Sequence, residues 1–271
     1  MKKIEIDEQK KIQLNMLKYI KSICEENSIT YFLGGGTLLG AIRHKGYIPW
    51  DDDIDIMLPR KDYNKLKNVF NDLKNEEYKL LSYENCDSYY YPFAKIVNTK
   101  TKLIEYNQEE IEELGIYIDI FPIDEIPDEE KERKKVFKKF VFYNRLLKCY
   151  KHKDFSYLSK SKISIFVKQI LKSIINIFKL KNNILNNIDK ICTKYTNTNT
   201  NTVACITGVY FEKEIMPKSY ISDYVMVEFE GEEFKAPIGY DEYLTKHYGD
   251  YMKLPPKEKQ VSNHNTKVFW R

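Results

Sequence analysis

The chain has 271 residues, of which 42% are hydrophobic and 31% are charged, as in folded globular proteins with a sizeable core. Its first residues, MKKIEIDEQKK, lack the apolar stretch of a signal peptide, and no uninterrupted apolar run approaches the roughly 20 residues of a membrane-spanning helix. The five cysteines are scattered, so neither a zinc site nor a redox pair is indicated. We expect free thiols and a cytoplasmic protein, with the inner face of the membrane as the alternative location.

The net charge of +4 is unevenly distributed along the chain. Residues 131–194 contain 18 lysines and arginines and three acidic residues, a net charge of +15, whereas the rest of the chain carries −11. We therefore predict an acidic body formed by residues 1–130 and 203–271, with a basic helical insert over residues 131–202.

The first half of the chain alternates between helical and strand patterns. We predict a helix over 5–27, a strand over 29–33, a helix over 37–43, a strand over 53–58, a helix over 61–75, a strand pair over 90–105 and a strand over 116–121. In DIDIML (53–58), carboxylate and apolar side chains alternate, which predicts a strand with one solvated face. Pro122 and Pro127 are expected to close this section.

The second half begins with the basic segment. Apolar residues define one helical face over residues 162–180, and lysines occupy the other positions. Helical character continues over 184–195, and TNTNTNT (196–202) is expected to be a loop. Short strands follow within 203–239, and a helix begins at residue 241.

Three glycines, residues 34–36, stand between a predicted strand and a predicted helix and are followed by Thr37. Glycines at this point let backbone N–H groups approach an anion, and the helix N-terminus adds partial positive charge. Alone, the pattern is also that of a plain tight turn. The loop after the helix carries Arg43, His44 and Lys45, which could contact a phosphate.

Asp53 and Asp55 supply the second half of this pattern. Residues i and i+2 of a strand project to the same face, about 6.5–7 Å apart, and two carboxylates there repel unless a cation lies between them. Oxygen ligands suit Mg²⁺ or Mn²⁺, which bridge to substrate phosphates. A solvated acidic turn is the alternative, but the interleaved Ile54, Ile56 and Met57 indicate partial burial, which would be costly for unpaired carboxylates.

The segment LGGGTLLGAIRHKGYIPWDDDIDIMLPRKDY (33–63) resembles the signature of the LicD family, which is similar to the nucleotidyltransferase superfamily. The resemblance extends to YIDIFPID (117–124) and to residues 229–256. It implies a mixed α/β (α+β) fold, in which a nucleotidyltransferase-like mixed sheet is flanked by helices and carries the basic helical insert. It also implies phosphotransferase activity, with phosphocholine moved from CDP-choline to a glycan hydroxyl; fukutin-type relatives transfer ribitol phosphate.

The resemblance assigns roles to particular residues. Asp53 and Asp55 match the metal-binding pair, and the turn of Gly35, Gly36 and Thr37 matches the phosphate-facing turn. Asp119 is the third carboxylate, as a metal ligand or as the acceptor of the substrate hydroxyl proton.

Other residues have two interpretations each. Lys95 either holds the β-phosphate or is an exposed side chain, and Asp51 and Asp52 either support the metal pair or cap the turn. The tail residues Lys257, Lys259 and His264 either close over the nucleotide or are solvated. Tyr89, Tyr90 and Tyr91 could form an aromatic box for a choline head group.

The expected partners are a CDP-alcohol donor, CDP-choline being favoured, and a glycan or teichoic acid precursor as acceptor, with a lipid-linked form as an alternative. The same motifs also fit nucleotidylyl transfer, transfer of ribitol or glycerol phosphate, or a binding module that has lost catalysis. We expect no nucleic acid partner, because no known reading element is present. The apolar face of the insert either packs on the body or contacts an anionic acceptor or an acidic leaflet.

Overall fold

The structure is a computed structural model that describes residues 1–73, 75–156, 159–262 and 265–271. His264 lies outside the described residues. The α-helices are α1 Ile6–Glu26, α2 Gly35–His44, α3 Arg60–Asp72, α4 Glu130–Lys151, α5 Lys162–Ile177, α6 Lys181–Cys192 and α7 Tyr240–Tyr248. The strands are β1 Phe32–Leu33, β2 Asp55–Pro59, β3 Tyr78–Leu81, β4 Ala94–Asn98, β5 Thr101–Glu105, β6 Tyr117–Ile126, β7 Thr202–Ala204, β8 Ile215–Pro217, β9 Tyr224–Phe229, β10 Glu232–Pro237 and β11 Thr266–Trp270.

The main sheet has the strand order β1-β2-β6-β4-β3, and β7 pairs with the far end of β6 and with β8. The pairing of β2 with β6 is parallel, whereas the other pairings in this sheet are antiparallel. Two further pairs, β9 with β10 and β5 with β11, form two-stranded sheets. A mixed sheet with flanking helices confirms the predicted fold class.

Strand β6 is the longest strand and runs through Pro122, so the prediction that this proline closes the strand was wrong. The N–H of Asp119 donates to the carbonyl of Ile54 on the β2 side, so residues 120 and 122 face the opposite edge. On that edge the pairing with β4 reaches Ile120, and the pairing with β7 covers Asp124 to Ile126. Pro122 lies in the gap between these two pairings, where no neighbouring strand would accept a hydrogen bond from a backbone N–H. Its lack of an N–H therefore costs the sheet no hydrogen bond.

The predicted strand pair over 90–105 was also wrong. Both strands exist, but β4 joins the main sheet while β5 pairs with β11. The turn that separates them directs the chain from one sheet to another, and β3 and β11 were not predicted as strands. Sequence spacing identifies adjacent strands more readily than it identifies their partners.

Helices α4, α5 and α6 contain most of the basic segment, and α4 packs against both of the others. A buried ion pair joins this region to the sheet: Arg60 at the start of α3 donates to both oxygens of Asp124 on β6, at 2.6 and 2.8 Å, and lies 3.4 Å from Asp189 on α6. The division into body and insert stays a prediction. Within the described ranges, no helix is long and apolar enough to cross a membrane.

Candidate active site

Asp53, Asp55 and Asp119 form the centre of the site. The parallel register of β2 and β6 places Asp55 beside Asp119, and Asp53 lies two residues before the first residue of β2. One carboxylate oxygen from each of the three residues lies within 4.8 Å of the others. The predicted solvated strand face was wrong, because Ile56 and Met57 are both buried. Consecutive side chains of a strand point to opposite faces, so the burial of these two residues shows that both faces of β2 are covered. Helices α2 and α3 both contact this strand.

The cluster concentrates negative charge. Burial raises the pKa of Asp55 well above its usual value, and the neighbouring carboxylates of Asp53, Asp119 and Asp51 raise it further. Asp51, Asp52 and Asp53 form a second group with the same close spacing. A divalent cation would relieve this repulsion, and the ligand set consists of the oxygens that Mg²⁺ and Mn²⁺ prefer.

Lys95 faces this cluster from β4, the strand that pairs with the other edge of β6. Its position on β4 is in register with Asp119, and its ammonium donates to Oδ1 of Asp119 at 2.5 Å. The side chain is 2% exposed, so the interpretation of Lys95 as an exposed residue was wrong. Its Nζ also lies 3.5 Å from the ring centroid of Tyr117 and 4.5 Å from that of Tyr91.

The glycine turn is built against the carboxylates. Gly35, the first residue of α2, has a φ of +47°, and a Cβ there would lie 2.8 Å from Oδ2 of Asp55. A Cβ on Gly36 would lie 2.6 Å from Oδ2 of Asp51. Both glycines line the cavity described below. Thr37 is buried instead, and its hydroxyl accepts from the N–H of Asp55 at 2.8 Å.

The three basic residues expected in the loop after α2 occupy different positions: Arg43 and His44 are the last two residues of α2, so their prediction as loop residues was wrong, and Lys45 follows the helix. Arg43 lines the cavity, and its guanidinium donates to the carbonyl of Tyr251 at 2.8 Å and to Nε2 of His44 at 2.9 Å. Burial lowers the pKa of His44, and the charge of Arg43 lowers it further. Lys45 is exposed, and its carbonyl accepts from the N–H of Glu230 at 2.8 Å. His44 and Lys45 are therefore not among the residues that line the cavity.

Two glutamines of α1 form hydrogen bonds with the backbone of the acidic segment. The side chains of Gln9 and Gln13 are buried, and both donate to the carbonyl of Asp52, at 3.0 and 3.1 Å. Gln13 also donates to the carbonyl of Tyr117 at 3.3 Å. These glutamines join the segment before β2 to the start of β6, and the helical pattern of α1 gave no signal of this role.

The cluster lies in a cavity of about 930 Å³. On one side stand Tyr117 and Phe121, which alternate with Asp119 along β6, together with Tyr91, Glu105 and Lys151. The phenol of Tyr91 donates to Glu105 at 2.6 Å. The alternation in YIDIF could have identified the two aromatic residues from the sequence.

Lys151 is the functional candidate that the sequence did not single out. It is the last residue of α4, and its Nζ lies 4.4 Å from the ring centroid of Tyr91. Burial lowers the pKa of Lys151 to about 8, the charge of Glu105 acting in the opposite direction and that of Lys95 in the same one. Nothing in its local sequence distinguishes it from the other lysines of the basic segment.

A second group of lining residues comes from the C-terminal third of the chain. The rings of Tyr210 and Tyr248 meet edge to face with centroids 5.7 Å apart, and Glu214 lies beside them with Oε2 3.2 Å from Nε2 of the buried His247. The tail contributes Pro255, Pro256 and Val261 to the lining, whereas Lys257 and Lys259 are exposed.

A glycine turn anchored on an Asp-x-Asp pair, with a further carboxylate on the adjacent parallel strand, is the arrangement of a nucleotidyltransferase-type enzyme. Residues 28–163 match the family described as LicD/FKTN/FKRP, nucleotidyltransferase domain. The chain belongs to this family, which confirms the resemblance.

Two relatives of the chain have named activities. The chain is 35% identical over 274 residues to the lipopolysaccharide cholinephosphotransferase LicD of Haemophilus influenzae, with 99% of each chain covered. It is 46% identical over 39 residues to the human ribitol 5-phosphate transferase FKRP, covering 14% of this chain and 8% of FKRP. The prediction of an enzyme among the transferases of phosphate-containing groups is confirmed, and the roles of individual residues stay predictions.

Proposed function

We propose that the chain transfers phosphocholine from CDP-choline to a hydroxyl of a cell-surface glycan or teichoic acid precursor, with release of CMP. The observation that carries this proposal is the cluster of Asp53, Asp55 and Asp119 within a cavity that is large enough for a nucleotide and an acceptor. The match with a cholinephosphotransferase along nearly the whole chain supports choline as the alcohol.

The three carboxylates fit a hard divalent cation. Asp53, Asp55 and Asp119 would hold Mg²⁺ or Mn²⁺, and the bound ion would neutralise charge on the two phosphates of the donor. The protein's own cations complete the site: Lys95 and Lys151 stand on one side of the cluster, and Arg43 lines the cavity with them. The N-terminus of α2, at Gly35 and Gly36, adds partial positive charge.

The reaction exchanges one phosphorus–oxygen bond for another. The acceptor hydroxyl oxygen bonds to the β-phosphorus, the bond from that phosphorus to the bridging oxygen breaks, and CMP leaves with the bridging oxygen. The hydroxyl proton passes to a carboxylate, and Asp119 is the candidate if it is not a ligand. Asp119→Asn distinguishes the two roles: a retained Mg²⁺-dependent thermal shift with lost turnover identifies the proton acceptor.

The trimethylammonium group fits the side of the cavity formed by Tyr210, Tyr248 and Glu214. Aromatic faces and a nearby carboxylate are the usual surroundings of a quaternary ammonium. The faces of Tyr91 and Tyr117 are already covered by lysine ammonium groups, whereas among the described residues no lysine or arginine stands over Tyr210 or Tyr248. The lysine-covered side then suits the phosphates.

This placement differs from the aromatic box that the sequence indicated. Of the three consecutive tyrosines, Tyr91 lines the cavity, whereas Tyr89 and Tyr90 are buried beside it. We expect Tyr248→Leu to raise KM for CDP-choline about 10-fold or more and to leave KM for CDP-glycerol unchanged. An equal rise with both donors would contradict the placement.

The donor is tested by a thermal-shift panel of CDP-choline, CDP-ribitol, CDP-glycerol and CDP-ethanolamine, with and without Mg²⁺. We expect an Mg²⁺-dependent shift with CDP-choline that exceeds the shift with the other three. A larger shift with CDP-ribitol would instead support ribitol phosphate transfer. Separate labels on the two halves of the donor then show which half reaches the acceptor, and a labelled acceptor carrying the nucleotide would overturn phosphocholine transfer in favour of nucleotidylyl transfer.

A further inference from the structure

Helix α5 carries an apolar stripe on its solvent side. The stripe residues recur at helical spacing on one face, and Ile163, Phe166 and Ile177 are 77%, 61% and 73% exposed. Val167, Ile170 and Ile174 of the same face are also exposed. Monomeric proteins rarely expose a contiguous apolar surface of this kind unless it binds something.

The opposite face of α5 attaches the helix to the protein. Ile175 is buried there, and Lys172 forms an ion pair with Glu109 and donates to the carbonyl of His152 at 2.7 Å. The sequence left two possibilities for the apolar face of α5, and packing against the body was wrong. The exposed stripe is therefore not an inward-facing core surface.

The charge around the stripe indicates what binds to it. No acidic residue occurs between Asp154 and Asp189, and residues 131–194 carry a net charge of +15. Exposed lysines stand at both ends of the helix. Lys160 precedes the first turn, Lys162 lies in that turn, and Lys179 follows the last turn. An apolar helix face bordered by lysines is the arrangement of helices that lie in the interface of an acidic membrane.

We propose that α5 is a membrane-docking helix, which inserts this stripe into the surface of a leaflet that contains acidic phospholipids. The helix lies along the surface, with its apolar side chains among the acyl chains and its terminal lysines at the phosphate groups.

The docking helix is joined to the cavity wall through a short chain of contacts. Lys172 contacts the carbonyl of His152, and His152 pairs with Gln108 in an isolated β-bridge. Gln108 lines the cavity beside Glu105. Docking would therefore hold the cavity close to the leaflet, where an acceptor linked to a lipid would lie; this consequence alone rests on the proposed function.

The test is flotation of the full chain with vesicles of phosphatidylcholine, with and without phosphatidylglycerol. We expect binding to the acidic vesicles, and the triple variant Ile163→Ser/Phe166→Ser/Ile177→Ser should lower the partition coefficient at least about 10-fold. The matched control is Ile6→Ser/Met226→Ser/Ile238→Ser, which changes three exposed apolar residues elsewhere and keeps the net charge. Circular dichroism verifies that both variants fold.

Three results would overturn the proposal. The first is that the wild-type chain shows no preference for acidic vesicles, and the second is that the stripe variant binds as well as the wild-type chain. The third is a wild-type dimer that becomes a monomer in the stripe variant, because this would show that a second copy of the chain covers the stripe. Because the measurement is binding without turnover, it fails or succeeds independently of the donor experiments.

Discussion

Hydrogen bonds hold both backbone polar groups of Asp55, whose carboxylate belongs to the acidic cluster. Its N–H donates to the hydroxyl of Thr37 and its carbonyl accepts from the N–H of Gly34 at 2.9 Å. The glycine turn and the acidic pair are thus one structural unit, although Thr37 lies 18 positions before Asp55 in the sequence. Their joint occurrence in the sequence was therefore more informative than either motif alone.

Gly35→Ala tests this unit. The positive φ should cost about 1–2 kcal/mol of unfolding free energy for any L-residue, and the new Cβ would displace the carboxylate of Asp55. We expect turnover to fall at least about 10-fold, together with the Mg²⁺-dependent thermal shift. The matched control is Gly231→Ala, at a φ of +76° with nothing within 4 Å of its Cβ. If the two variants lose stability and activity to the same extent, the absence of a Cβ at Gly35 is not what positions the carboxylate of Asp55.

Lys151 gives a pH-dependent prediction. Because burial lowers its pKa to about 8, the ammonium is present below that pH and is lost as the pH rises through it. If it contacts the donor phosphates, kcat/KM should fall above pH 8 in the wild-type enzyme, and Lys151→Arg should extend the plateau to higher pH. We expect Lys151→Met to lower kcat/KM about 10- to 100-fold below pH 8.

The control for this prediction is Lys148→Met, which removes an exposed lysine from the preceding turn of α4. A pH profile that is identical in wild-type enzyme and Lys151→Arg would remove Lys151 from the site. The sequence could not single out this residue, because its burial at the cavity depends on how α4 packs on the tyrosines near residue 90.

At the scale of elements, the local sequence pattern identified most helices and most strands of the described residues, whereas α4 was expected only as part of a helical insert without bounds of its own. The other errors arise from tertiary contacts that a local pattern does not contain. The predicted helix over 5–27 corresponds to α1, and the helix expected from residue 61 corresponds to α3. Pro122 was read as a strand end because its role depends on a gap between two other strands. The solvated face expected for β2 was wrong because its neighbours cover it.

Arg60 of α3 pairs with Asp124 of β6 and lies near Asp189 of α6, so it connects three elements, and its buried pair with Asp124 predicts a large effect on stability. Asp124→Ala leaves a buried guanidinium without its main partner and should lower the free energy of unfolding by about 3–5 kcal/mol. The double variant Arg60→Met/Asp124→Leu should recover much of that loss, since no charge then remains buried. Chemical denaturation measures both.

The control is Glu232→Ala, which breaks an exposed pair with Lys18 and should cost less than about 1 kcal/mol. If Asp124→Ala costs no more than Glu232→Ala, the buried pair does not hold α3 and α6 to the sheet.

At the scale of the molecule, the cavity is assembled from distant parts of the chain. The turn, the acidic pair and β6 come from the first half, Lys151 from the basic segment, and Tyr210, Tyr248 and the tail prolines from the last third. The sequence indicated Asp53 and Asp55 because they stand together in one motif, and it indicated Asp119 through the family resemblance. It could not bring Tyr210 and Tyr248 to the same cavity, since they line it only after the C-terminal segment has folded.

The most direct test of the central claim is CMP release from CDP-choline by the purified chain, with EDTA and then with Mg²⁺ restored, in wild type, Asp53→Asn and Asp55→Asn. The account requires Mg²⁺-dependent release by the wild type and a loss of at least about 1000-fold in each variant, with the fold retained by circular dichroism. Release that persists in EDTA, or near-normal turnover in either variant, would contradict it.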